Sequence, residues 1–142
     1  MKVLVLCTGN SCRSQMLEAY LRAHAQAGVD VYSAGVEAHG LNPRAVATLA
    51  ADGLDIRHHR SELVGEYLNS GITHVITVCD HAAGLCPIFP GQVEMTHMSF
   101  PDPARATGTE AEIMAEFAAV RDAIKAYARA WLAEQGLLRP GV

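Results

Sequence analysis

The feature that most constrains this chain is its opening. Lys2 is followed by Val3, Leu4, Val5 and Leu6, then by a loop broken at Gly9 and Asn10, then by a helical repeat. A short, unbroken apolar run bounded by turn residues is the mark of a strand buried on both faces, as in a parallel sheet. From Ser14 to Ala27 the apolar positions Met16, Leu17, Tyr20, Leu21 and Ala25 recur at helical spacing, and Gly28 stands where the helix would end. Strand, tight loop and helix, in that order, begin an α/β fold.

The alternation continues. Val29 to Ser33 predicts a second strand, and Asn42 with Pro43 reads as a cap and first-turn proline for a helix ending near Gly53. Ser61 to Leu68 predicts a further helix capped by Ser61, and the β-branched run Ile72 to Val78 an interior strand. Val93 to Met98 is the fourth strand candidate. Thr109 to Gln135 carries Ile113, Phe117, Val120, Ile124, Tyr127 and Trp131 at steps of three and four, which predicts a long amphipathic helix. The expected architecture is therefore a parallel sheet covered by helices, with ligands bound beyond the carboxyl ends of its strands. Cys7, Cys79 and the segment after Phe100 all follow such ends, so they can converge although they are far apart in sequence.

A chain of 142 residues, half of them hydrophobic, fits one compact domain spanning residues 1–142, and it shows no repeat or linker. The net charge of −4, with Lys and Arg scattered, argues against a nucleic-acid surface. The apolar run before Cys7 is too short for a signal core, and Leu6 stands where a cleavable anchor needs a small residue. No later run approaches the roughly 20 apolar residues that cross a bilayer. The expectation is a soluble cytoplasmic protein, probing no membrane, in a compartment where structural disulfides are rare. Four cysteines there are catalytic, metal-binding or simply buried. Four residues separate Cys7 from Cys12 and six separate Cys79 from Cys86, a poor pattern for zinc, and the seven histidines form no pair at helical ligand spacing.

The loop itself reads Cys7-Thr8-Gly9-Asn10-Ser11-Cys12-Arg13-Ser14. Such a segment can turn successive backbone N–H groups inward around a tetrahedral oxyanion, and the next helix adds its positive end. Gly9 and Asn10 tolerate the positive φ this requires. Arg13 can grip two oxyanion oxygens at once. The same positive surroundings are expected to depress the pKa of Cys7 and make it a thiolate facing the anion. Ser14 either donates to that sulfur or caps the helix.

With these residues in view, CTGNSCRSQM at 7–16 resembles the low-molecular-weight protein tyrosine phosphatases and the arsenate reductases that share their fold, in the reductase version. The resemblance covers nearly the whole chain. It implies a four-stranded parallel sheet flanked by helices, with Cys7 as nucleophile.

Phosphatases of this fold need only the loop and an acid, so the segment from Val78 to Pro87 separates hydrolysis from reduction. If it were helical, Cys79 and Cys86 would lie about 10 Å apart along the axis, beyond disulfide reach, so bridging them requires it to unwind. Gly84 and Pro87 favour that change, and an oxidised segment looped outward would be open to thioredoxin. The resemblance implies the same, since thioredoxin-coupled arsenate reductases carry a cysteine pair at this spacing. Asp102, in Phe100-Pro101-Asp102-Pro103-Ala104, matches the family's general acid. The phosphatases usually have tyrosine where Ala104 stands. Cys12 is expected to pack under the loop, a protective bridge to Cys7 being the alternative. Some relatives hold a potassium ion at positions that correspond to Asn10, Glu18, Ser33 and Glu62; the resemblance implies aspartate at the last, where this chain has glutamate. No other cofactor is implied.

The resulting expectation is a cascade in which Cys7 attacks arsenate, Cys79 attacks Cys7 to release arsenite, and Cys86 attacks Cys79 to leave a disulfide for thioredoxin. Phosphate and sulfate should compete for the loop, and weak phosphatase activity should accompany it. The chain is expected to act as a monomer. The rival readings are a phosphatase and a non-catalytic oxyanion-binding module.

Overall fold

The structure, a computed structural model, describes residues 1–79, 89 and 91–141. Cys86, Gly84 and Pro87 lie outside the described residues. Four strands form one parallel sheet in the order β2-β1-β3-β4: β1 (Lys2–Cys7), β2 (Asp30–Gly35), β3 (His74–Thr77) and β4 (Glu94–His97). The first strand is central, and Val3 to Leu6 are fully buried, as an unbroken apolar run demands.

Three helices are described: α1 (Arg13–His24), α2 (Pro43–Ala50) and α3 (Glu110–Glu134). Asn42 caps α2 through its side-chain oxygen, with Pro43 in the first turn. Thr109 and Glu112 cap α3 reciprocally, and its buried stripe is Phe117, Val120, Ile124, Ala128, Trp131 and Leu132. The third helix packs along α1 and also meets α2. No helix among the described residues is long and apolar enough to cross a membrane.

Two expectations fail for tertiary reasons. The first helix stops at His24, not at Gly28, because Ala25 pairs with Leu138 and the N–H groups of Gln26 and Arg139 bond to Leu137 and His24 carbonyls. Pairing with the returning chain takes the backbone groups that another helical turn would use. The segment Ser61 to Leu68 holds only a short 3₁₀ turn, Val64–Tyr67. Ser61 does not cap it; its hydroxyl donates to the Asn10 carbonyl at 2.6 Å.

The carboxyl ends of β1 and β3 lie side by side, with Leu6 opposite Thr77. Cys7 ends β1 and Cys79 follows two residues after β3, while the Phe100–Asp102 stretch follows β4. The sheet therefore delivers all three to one rim.

Candidate active site

Residues 8–12 connect β1 to α1 as a loop whose carbonyls are held outward. The N–H groups of Val36, Glu37, His39 and Asn42 donate to the carbonyls of Cys7, Thr8, Gly9 and Ser11 at 2.9 to 3.3 Å. The Asn10 carbonyl accepts from Ser61 and Gln15. With its carbonyls engaged on the outside, the loop is left to present its N–H groups to the interior, the arrangement that binds anions. Asn10 adopts φ +50°, the left-handed geometry foreseen for it. Gly35 makes the close approach possible: a Cβ there would stand 2.7 Å from the Thr8 carbonyl and 2.9 Å from the Asn10 nitrogen.

Asn10 is also the hub beneath the loop. It is fully buried, donates through Nδ2 to Ser14 and Ser33 at 2.9 Å each, and accepts through Oδ1 from Glu62 N at 2.8 Å and Gln15 Nε2 at 3.1 Å. Every polar atom of its side chain is thus paired, which is what a buried amide requires. Ser14 fills neither of its expected roles, since the cap position belongs to Cys12 and its hydroxyl bonds Asn10 rather than Cys7.

Cys7 and Cys79 are both 4% exposed, and their thiols are hydrogen-bonded to one another. Thr8 Oγ1 lies 3.1 Å from Cys79 Sγ and fixes it there. The bond to Cys79 and burial hold the Cys7 thiol well above the usual range, against the pull of Arg13 and the Thr8 N–H. The direction is opposite to the expected depressed value, because the expected value took no account of Cys79. Burial and the Asp102 charge push the Cys12 thiol up to about 12, as suits a residue packed under the loop.

Arg13 crosses from α1 to the acid segment. Its NH1 donates to the Phe100 carbonyl at 3.0 Å, and its NH2 lies 3.6 Å from Asp102 Oδ2. Part of the guanidinium thus anchors the segment that carries Asp102, rather than all of it awaiting an oxyanion. Asp102 also accepts from Ala104 N and has Arg105 Nε at 3.8 Å. One cleft is lined by Cys7, Cys12, Arg13, Cys79 and Asp102, together with Glu37, His39 and Arg105.

Residues 2–138 match the low molecular weight phosphotyrosine protein phosphatase family. The chain belongs to that family. It is 46% identical over 122 residues to an arsenate reductase of Halalkalibacterium halodurans, covering 86% of this chain and 88% of that relative. Among solved structures it is similar to an arsenate reductase in the oxidized state, with a TM-score of 0.80 and 25% identity over 94% of this chain and 97% of that one. A second neighbour is an arsenate reductase in the phosphate binding state, with a TM-score of 0.77 and 26% identity over the same shares of the two chains. The four-stranded parallel sheet and helices expected from the resemblance are those of this family.

The potassium set implied for some members of the phosphatase family is assembled only in part. Asn10 bonds Ser33, and Ser33 donates to Glu18 Oε1 at 2.5 Å. Glu18 Oε2 accepts from Arg22 Nε at 2.8 Å, and the Glu62 carboxylate accepts from the Tyr67 hydroxyl at 2.9 Å. Arg22 supplies a positive charge to Glu18. As arranged, Glu18 and Glu62 each accept from a protein donor. No group of three or more His, Cys, Asp or Glu among the described residues could hold a metal ion.

Four contributors lay outside the expected site. Glu37 and His39 enter through the strap that laces the loop, Gln15 braces Asn10 from α1, and Arg105 flanks the acid. Glu37 and His39 are set by contacts outside any motif, whereas Gln15 stands within the segment 7–16 and bonds Asn10 there. Arg105 could have been read as a basic residue three positions after the acid in a rigid, proline-bounded turn.

Proposed function

We propose that the chain reduces arsenate to arsenite through a relay of Cys7, Cys79 and Cys86, and that thioredoxin restores the dithiol. The observation that supports this most is the hydrogen bond between the Cys7 and Cys79 thiols at the floor of an oxyanion cradle. Hydrolysis consumes no second thiol beside the nucleophile; reduction by a thiol relay does.

Arsenate enters the loop, where N–H groups and Arg13 balance its charge. The Cys7 sulfur attacks arsenic, forming an As–S bond. The As–O bond opposite breaks, and the thiol proton leaves with that oxygen as water, relayed by Asp102. Cys79 then attacks the Cys7 sulfur. The new S–S bond displaces arsenic, which keeps the electron pair of the broken S–As bond and departs as arsenite. Attack of Cys86 on Cys79 frees Cys7 and leaves the Cys79–Cys86 disulfide, which a thioredoxin dithiol reduces. The same cradle accepts phosphate and sulfate as competitors and supports weak phosphate-ester hydrolysis. The chain works as a cytoplasmic monomer without a required cofactor.

The experiment is arsenite formation fed by thioredoxin, thioredoxin reductase and NADPH, run beside a glutaredoxin system with glutathione. Sustained turnover with thioredoxin alone is expected. Vigorous aryl phosphate hydrolysis in the absence of any reductant, with no arsenite formed, would replace this reading with a phosphatase.

A further inference from the structure

Arsenate reduction makes a proton demand that two thiols and one carboxyl group do not meet. The first step is balanced: the Cys7 thiol proton and the departing arsenate oxygen leave as water. In the second, arsenic departs with an electron pair as an oxyanion of arsenite, whose neutral form is the stable one near neutral pH. The Cys79 thiol proton covers one of the three oxygens, and two more protons must arrive as the S–As bond breaks. Asp102, refilled from solvent, supplies one of them.

Glu37 and His39, on the strap that follows β2, line the same cleft as Asp102. Their backbones are tied to the loop, with Glu37 N donating to the Thr8 carbonyl and His39 N to the Gly9 carbonyl, each at 2.9 Å. The His39 ring rests on Gly9, so closely that a Cβ there would stand 2.2 Å from Nδ1. His39 Nε2 lies 2.5 Å from Glu37 Oε2. An ionised carboxylate only accepts, so Nε2 keeps its hydrogen and Nδ1 becomes the nitrogen that gains and loses a proton. The two side chains are 53% and 61% exposed, which leaves the ring open to proton exchange with water. Histidine is also the side chain whose charge change ordinarily falls nearest neutral pH.

We propose that His39, oriented by Glu37, is the second proton donor of the reaction, serving arsenite as it leaves Cys7. The proposal rests on the arsenate reductase reading. The proton moves from Nδ1 of the imidazolium to an arsenite oxygen, and the neutral ring is recharged from solvent. Of the other described groups lining the cleft, Cys7, Cys12 and Cys79 are buried, Arg13 holds the Phe100 carbonyl, and Asp102 is engaged by Arg13 and Arg105. Among the described residues lining the cleft, His39 is the imidazole, and Glu37 is its tether.

The test is a single turnover of fully reduced protein with arsenate, without thioredoxin, between pH 6 and 9, following arsenite release by rapid quench. His39→Gln is expected to slow release about 100-fold at pH 8 and to leave phosphate affinity within about twofold. Added imidazole should restore part of the lost rate, an effect that a structural role would not produce. Glu37→Gln should slow release less, by about tenfold. Release by His39→Gln at the wild-type rate across the whole range overturns the proposal alone. So does slowing with a parallel loss of phosphate affinity and no rescue by imidazole, which would make His39 a brace for the loop. Wild-type protein that forms no arsenite overturns the underlying reading and the proposal with it.

Discussion

The two walls of the cleft are built on opposite plans. Of the anion loop, Cys7, Asn10, Cys12 and Ser14 are 0 to 4% exposed, and every loop carbonyl named above is tied to a neighbouring segment. The acid wall is loose by comparison: the Asp102 side chain is 30% exposed and that of Arg105 89%. The difference follows from what each wall does. A cradle that binds by oriented N–H groups must have its geometry before the anion arrives, since ordering it afterwards would cost binding energy. A group that delivers protons must be refilled by water, so it sits at the rim.

Perturbing the rigid wall should have the larger consequences. Cys7→Ser removes the nucleophile, and arsenite formation is expected to fall by at least about 10⁴-fold in the thioredoxin assay, with the fold intact by circular dichroism. Asp102→Asn, on the loose wall, should slow adduct formation by about 10² in rapid-quench kinetics. Its urea midpoint should stay close to that of the wild type, because its side chain is partly solvated.

Asn10→Ala tests rigidity itself. It removes four hydrogen bonds, taking from the Glu62 N–H and the Ser14 hydroxyl the partner they have in Asn10, while Ser33 keeps Glu18 and Gln15 keeps the carbonyls of residues 10 and 60. It also puts a residue without a side-chain amide at φ +50°, so about 3 kcal/mol of stability should be lost in urea unfolding. Phosphate binding by titration calorimetry should weaken by about tenfold. An Asn10→Ala protein with unchanged phosphate affinity would show that the loop needs no bracing from below.

The sequence made the first wall legible and the second only in outline. The β1-loop-α1 passage could be read because its signals are local: an apolar strand, residues that accept positive φ, and a helix repeat. Asn42 and Thr109 were equally readable as caps, since capping is settled within three residues. Ser61 was misread because its hydroxyl bonds Asn10 instead of a nearby N–H, and no local rule reveals that choice. The end of α1 was missed for the same reason, as Leu138 comes from the far end of the chain. The expected Cys7 thiolate failed because the loop was considered without Cys79, whose sulfur arrives from 72 residues away.

That last error points to a smaller but sharper effect. The hydrogen bond that the Cys7 thiol donates to Cys79 is the largest influence raising Cys7, ahead of burial. In Cys79→Ala this influence is gone, the Cys7 value falls, and more thiolate is present at pH 7. Alkylation of Cys7 by iodoacetamide should then be about tenfold faster than in the wild type at pH 7 and stay faster through pH 9, because the wild-type thiol ionises only above the usual range. An unchanged rate would mean that Arg13 and the loop, not Cys79, govern the thiol.

The contact between Cys7 and Cys79 is also the claim most directly open to measurement. Reduced Cys86→Ser protein, mixed with excess arsenate and no thioredoxin, should release one arsenite per chain and then stop. Peptide mapping by mass spectrometry should show Cys7 joined to Cys79. Continued turnover by this variant, or a single turnover that leaves Cys7 and Cys79 unlinked, would contradict the relay.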